Sequence, residues 1–251
     1  MASRIEVLGV RGLPEIRPGD DIARMLLDAC ARESLALIDG DILVVTQKIV
    51  SKSEGRLVAL AEVEPSALAR RYAESFAKDP REVDVVLREA RRIVRMDHGV
   101  LITETAHGFV CANSGVDASN LESREQVALL PIDPDRSAAE LRRRLEEATG
   151  TRVAVVISDT FGRPWREGAT NVAIGISGLA PMADHRGRFD SAGRALVTTV
   201  LAVADELAAA AELVMGKLER VPVAIIRGYA FTPAEAGIQE LLRKRENDLF
   251  R

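Results

Sequence analysis

The chain has 251 residues, with 34 Lys and Arg against 38 Asp and Glu. The formal net charge of −4, and basic residues spread along the chain instead of massed in a stripe, argue against a nucleic-acid binder and for a small-molecule partner. No apolar run approaches membrane-spanning length, the start MASRIEVLGV lacks the regions of a signal peptide, and the two cysteines, Cys30 and Cys111, lie far apart in apolar surroundings. The expectation is a reduced, cytoplasmic α/β protein with enough material for a sizeable core and no contact with membranes.

Residues 5–10 alternate as a first strand and run into Arg11-Gly12-Leu13-Pro14-Glu15-Ile16, a loop that either turns the chain or touches a ligand. Asp20 or Asp21 caps a helix over residues 22–32, where Ile22, Met25, Leu26, Ala29 and Cys30 share a face. Residues 42–46, ILVVT, are too continuously apolar for a half-exposed strand and belong at the centre of a covered sheet. Directly after them Gln47, Lys48, Ser51, Lys52 and Ser53 read as a loop, either solvated or turned toward a polyanion such as a triphosphate.

Ser66 opens a helix to about residue 78, and a second helix is expected over residues 80–92. Arg88, Arg91, Arg92 and Arg95 form the densest basic patch and read as a solvated helix face. From His98-Gly99 a hairpin-like passage leads to residues 109–113, and neither His98 nor His107 has metal-ligand spacing. It delivers the chain into NSGVDASN, where Asp117 is the sole fixed charge and Asn120 follows three residues on. Ser137 and Glu140 have the spacing of a capping box for a helix that Gly150 closes.

The stretch VAVVISDTFGRPWREG, residues 153–168, carries the most chemistry. A buried strand stops at Asp159-Thr160, and a turn over Phe161-Gly162-Arg163-Pro164 follows, with Arg163 and Arg166 close by. Carboxylate and hydroxyl oxygens suit a hard divalent cation, and guanidinium groups suit phosphate. Asp117 and Asp159 therefore either clamp cations for phosphoryl transfer or cap polar turns. Residues 171–178 alternate as a strand whose glycines permit close approach of a ligand or another backbone. His185 lies in a polar loop, residues 196–215 read as an alanine-rich helix, residues 221–227 as a strand and residues 233–250 as a closing amphipathic helix. No phosphate-loop, dinucleotide, zinc-protease or serine-hydrolase motif is present, so any nucleotide is held unconventionally.

Taken in order, GLPEI, VVTQKIVSKSEGR, CANSGVDASN, ISDTFGRPWREG, AIGISG and VADELAAAAELVMGK resemble the coenzyme F420-0:γ-glutamyl ligase family over essentially the full chain. The resemblance implies a mixed-sheet α/β fold in an intertwined homodimer, one ligase domain over residues 1–251, and no C-terminal nitroreductase-like domain. It further implies a GTP-dependent, amide-forming ligase that adds L-glutamate to F420-0, and then γ-linked glutamates, through an acyl phosphate. Mg²⁺ or Mn²⁺ is implied as cofactor, with K⁺ as a possible assistant. Residue by residue, Asp117 and Asp159 match metal-binding aspartates and Thr160 a second-metal ligand. Leu13, Pro14, Glu15 and Ile16, then Gln47, Lys48 and Lys52, then Asn120, and finally Met215, Gly216 and Lys217 in the loop to Pro222 match nucleotide contacts. Some members carry an acidic metal ligand where this chain has Lys217, which leaves Glu219 as a substitute, a differently held second metal, or a phosphate contact by Lys217 itself.

Overall fold

The computed structural model of the chain describes residues 4–119, 121 and 123–249. In chain order the elements are β1 (Glu6–Val10), α1 (Ile22–Arg32), β2 (Ile42–Thr46), α2 (Gln47–Ser53), β3 (Leu57–Ala59), α3 (Ala67–Phe76), α4 (Pro80–Glu89), β4 (Ala90–Asp97), β5 (Val100–Thr105) and β6 (Val110–Ala112). There follow β7 (Gln126–Ala128), α5 (Pro134–Thr149), β8 (Ala154–Arg163), β9 (Arg166–Ser177), β10 (Ala183–Asp184), β11 (Val200–Leu201), α6 (Val203–Met215) and β12 (Val223–Arg227).

The principal sheet has five strands in the order β1-β12-β2-β8-β9. Only β2 and β8 run parallel; the other neighbours are antiparallel, so the sheet is mixed as expected. Residues 42–45 are fully buried, as their unbroken apolar run requires of a strand covered on both faces. α1 packs with α5, which lies along β8 and β9, while α6 crosses β9, β12 and β1. Gly175 of β9 lies so close to the Pro134 carbonyl at the start of α5 that a Cβ would meet it at 2.4 Å. Close approach to a backbone is thus what that glycine permits.

These directions decide where the loops go. Because β1, β2 and β8 point one way and β12 the other, the exits of the first three and the entrance to the fourth open at one end of the sheet. The parallel pairing stops at Thr46 opposite Ser158, which leaves Asp159 just past its neighbour's end. β8 does not stop there: it continues to Arg163 in a long hairpin with β9 and turns only between Arg163 and Arg166. The expected turn at residues 161–164 is therefore mostly strand. A register shift at Ile157/Ser158, opposite Ile174, re-aims the hairpin where the polar residues begin.

Other expectations need correction. Gln47–Ser53 is a helix and not a loop, begun directly on the last residue of β2. The helix expected over residues 80–92 stops at Glu89, and β4 takes over, so the arginine patch is mostly on a strand: Arg88 pairs with Asp84, Arg92 with Glu104 and Arg95 with Asp97. α5 begins a turn before the capping box, with Asp133 accepting from the Arg136 amide and Pro134 in the first helical position. α6 begins at Val203; β-branched residues ahead of it extend, and Val200–Leu201 pairs with Ala183–Asp184. The closing helix is absent among the described residues, where the segment holds only the short 3-10 turns Ile238–Glu240 and Arg245–Asn247. Its Ile238 amide is captured by Asp135, at 2.9 Å, and Asp135 also accepts from the Ile176 amide at 2.8 Å. Tertiary bonding thus outweighs helical periodicity there. Both cysteines are free and buried.

Candidate active site

The converging loops enclose a cavity of about 840 Å³. Leu13, Pro14, Glu15 and Ile16 line it from the exit of β1, Gln47, Lys48 and Lys52 from α2, Asp159 and Thr160 from β8, and Gly216 and Lys217 from the loop into β12. Asp117 closes it from the small-sheet side. Met215 is fully buried in the core behind Gly216 and does not line the cavity. Asn120 lies outside the described residues. Arg163, Arg166 and His185 are not among the lining residues, and the arginine side of the metal-phosphate reading is thereby corrected: Arg163 bonds the Glu167 and Gly168 carbonyls of its own turn.

Asp117 is held by its backbone. It exchanges both main-chain hydrogen bonds with Ala128, at 3.0 and 2.8 Å, and one of its side-chain oxygens accepts from the Ser119 amide. The other carboxylate oxygen lies 2.7 Å from Lys48 Nζ, which also donates to the Ser119 carbonyl and hydroxyl. Lys48 and Asp117 are largely buried; burial lowers the lysine pKa against the pull of Asp117, while Lys48 and the Ser119 amide hold Asp117 below the usual carboxylate range despite its own burial. Lys52 pairs with Glu15, tying α2 to the first loop.

Asp159 differs. It forms no ion pair among the described residues, its side chain accepts from the Thr160 amide, and burial with nearby Asp117 pushes its pKa up to about 6 against the opposing charges of Lys217 and Lys48. A carboxylate destabilised by burial next to a second carboxylate has the chemistry to take a hard cation. No group of three His, Cys, Asp or Glu side chains with metal-holding geometry occurs among the described residues, so any cation placed here would need hydroxyls, water or a ligand's oxygens to complete its coordination. The proposed substitute Glu219 is absent from the cavity wall: it folds onto its own loop, accepting from the Leu218 amide at 2.8 Å.

A second group of polar residues was missed in the sequence. Thr160 Oγ donates to Asn171 Oδ1 and Asn171 Nδ2 to Glu212 Oε2, both at 2.7 Å, linking β8, β9 and α6. Asn171 is buried, and Ser158 beside it, 1 % exposed, has a hydroxyl with no hydrogen-bond partner. Strand alternation puts Ser158 and Thr160 on the α6 side and Asp159 on the other. The alternating pattern of residues 171–178 identified the strand but gave no sign that Asn171 faces a cavity; Glu212 was hidden in an alanine-rich helix.

A mixed α/β sheet with a polar cavity at its strand ends, lined by lysines and carboxylates, has the donors and acceptors of a small-molecule site. Residues 10–228 match the family model for F420-0:Gamma-glutamyl ligase, and the chain belongs to that family. It is 49 % identical over 250 residues, 98 % of this chain and 99 % of the relative, to the coenzyme F420:L-glutamate ligase of Methanothermobacter thermautotrophicus. Its identity is 52 % over 215 residues to that of Methanopyrus kandleri, covering 85 % of this chain and 83 % of the relative. To that of Methanocaldococcus jannaschii it is 43 % over 249 residues, 99 % of this chain and 97 % of the relative.

Proposed function

We propose that the chain is a GTP-dependent ligase of coenzyme F420 biosynthesis that joins L-glutamate to F420-0 and extends the product by γ-linked glutamates. The observation that carries this reading is the single cavity in which Asp117, Asp159, Lys48 and Lys52 meet the Leu13–Ile16 and Gly216–Pro222 walls. In this mechanism the terminal carboxylate of F420-0 attacks the γ-phosphorus of GTP, the bond to GDP breaks, and an acyl phosphate forms. The glutamate amine then attacks the acyl carbon and phosphate leaves. Lys48 and Lys52 hold phosphate charge at the nucleotide side.

Asp117 and Asp159 fit one divalent ion, Mg²⁺ or Mn²⁺, because both present hard oxygens on the cavity wall and Asp159 forms no ion pair among the described residues, while Thr160, on the other face of β8, is bonded to Asn171 instead. Such an ion supplies charge neutralisation for phosphoryl transfer. A second ion at position 217 does not fit, since Lys217 carries a positive charge and Glu219 is turned away; Lys217 is better suited to a phosphate oxygen. K⁺ assistance and a homodimer belong to the same reading, as does a cytoplasmic setting; no helix among the described residues is long and apolar enough to cross a membrane.

The test is mass spectrometry of purified protein with F420-0, L-glutamate, GTP and Mn²⁺ or Mg²⁺. Products heavier by successive glutamyl masses, with GDP released, are expected. No product and no GDP from folded protein would refute the reading in favour of another acceptor carboxylate or a GTP binder without catalysis.

A further inference from the structure

The proposed reaction brings together two reactants of opposite character, a polyanion and a free amino acid whose attacking nitrogen arrives as an ammonium. Among the described residues the cavity has four acidic side chains on its wall: Glu15, Asp117, Asp159 and Glu212. Glu15 is paired with Lys52 and Asp117 with Lys48. Asp159 sits in the field of Lys48 and Lys217. Glu212, in the last turns of α6, forms no ion pair among the described residues; its carboxylate bonds a neutral amide, that of Asn171, through Oε2.

The surroundings of Glu212 are built. Asn171, 3 % exposed, is fixed at both ends, accepting from Thr160 and donating to Glu212, so the carboxylate is held in one orientation with its other oxygen not engaged by any described side chain. Next to it the Ser158 hydroxyl is buried on the cavity wall with no partner. An unsatisfied buried hydroxyl is destabilising, and a ligand group that reached it would remove that cost. A carboxylate with a free oxygen and a buried, unpartnered hydroxyl on the same side of the sheet match an ammonium, which has three donors and no acceptor.

We infer that the corner formed by Ser158, Asn171 and Glu212 receives the ammonium group of the incoming L-glutamate, with Glu212 as its counter-ion and Asn171 as a positioning residue. The inference rests on the ligase reading above for the identity of the amino acid. It sets the amine on the α6 face of β8, away from the Asp159 face; the ammonium gives up a proton to the departing phosphate as its nitrogen attacks the acyl carbon.

The experiment compares full-length wild type with Glu212→Gln by calorimetric titration of L-glutamate, and separately of glutarate, which has the same carboxylates and no amine, in the presence of Mn²⁺ and GDP. Mn²⁺ affinity is measured by electron paramagnetic resonance. Expected for Glu212→Gln is an L-glutamate dissociation constant raised about ten- to hundredfold, from the loss of a charge-assisted bond, with glutarate and Mn²⁺ binding unchanged. Weaker Mn²⁺ binding with L-glutamate unaffected would overturn the inference and make Glu212 a metal ligand. Equal losses for L-glutamate and glutarate would make its role structural, and no L-glutamate binding by wild type would also overturn it. Should Glu212→Gln not fold, Glu212→Asp keeps the charge but withdraws it, and the same selective loss for L-glutamate over glutarate is required. A wild type that binds L-glutamate in this manner yet forms no product from F420-0 would refute the ligase reading and leave the ammonium site standing.

Discussion

The two sides of β8 carry the same kinds of atom in different electrostatic states. On one, Asp117 and Lys48 lie 2.7 Å apart and neutralise each other; on the other, Thr160, Asn171 and Glu212 form a relay of neutral donors ending in a carboxylate without a cation. The first side is pre-paired, so a polyanion must compete with Asp117 for Lys48, and a metal must compete with Lys48 for Asp117. The second side is pre-oriented but uncompensated. Pairing tolerates the loss of a ligand; lack of pairing favours its arrival.

Asp159 is where that contrast is sharpest, and Asp159→Asn has the largest expected effect. Turnover should fall by about three orders of magnitude or more, in line with removal of a metal-binding charge. Stability moves the other way. With the folded carboxyl at about 6 and an ordinary value of 3.8, the folded protein binds a proton more readily than the unfolded chain, so the ionised group costs stability fully above pH 6 and not at all below pH 4. Asp159→Asn should therefore raise Tm by a few degrees at pH 7, with the gain gone below pH 4; a lower Tm at pH 7 would show that Asp159 is compensated. For the same reason wild-type Mn²⁺ affinity should weaken as pH falls through about 6.

Lys48→Met tests the paired side. It removes a phosphate contact and leaves Asp117 buried without its cation, so the KM for GTP should rise about tenfold or more and stability should fall by about 1–3 kcal/mol, read by urea denaturation. Unchanged stability would mean that the pair is not formed in solution. Asn171→Ala acts on the other side alone: the KM for L-glutamate should rise several-fold with that for GTP unchanged. The smallest effect belongs to Ser158→Ala: removing an unpartnered buried hydroxyl should leave stability unchanged or raise it by about 1 kcal/mol; a loss above about 2 kcal/mol would reveal a bond absent from the structure.

Much of the paired side was legible because its residues follow strong punctuation. Asp159 comes after a β-branched run and Asp117 after a Gly-containing turn, and Lys48 follows ILVVT. What periodicity could not give was that Lys48 and Lys52 lie on one helical turn, because α2 starts at Gln47 with no side-chain cap from Thr46 to announce it. The unpaired side left almost no trace. Asn171 and Glu212 lie 41 residues apart, each inside an element that reads as scaffold, and only the crossing of α6 over β9 brings them together. The false closing helix has the same origin: Asp135 reaches residues 176 and 238, and no local pattern records a partner about a hundred positions away.

That Asp135 clasp also orders events in time. One carboxylate at the head of α5 joins β9, the strand that carries Asn171, to a segment near the end of the chain. A ribosome that has released the first 230 residues has delivered every side chain of the cavity, yet the bond that fastens β9 to the C-terminal segment still waits for Ile238. Non-local closures of this kind come late in folding. The clasp on the amine side thus closes only once residue 238 is available, and the lysine side waits too, since among the described residues β1 pairs only with β12 and β2 only with β12 and β8.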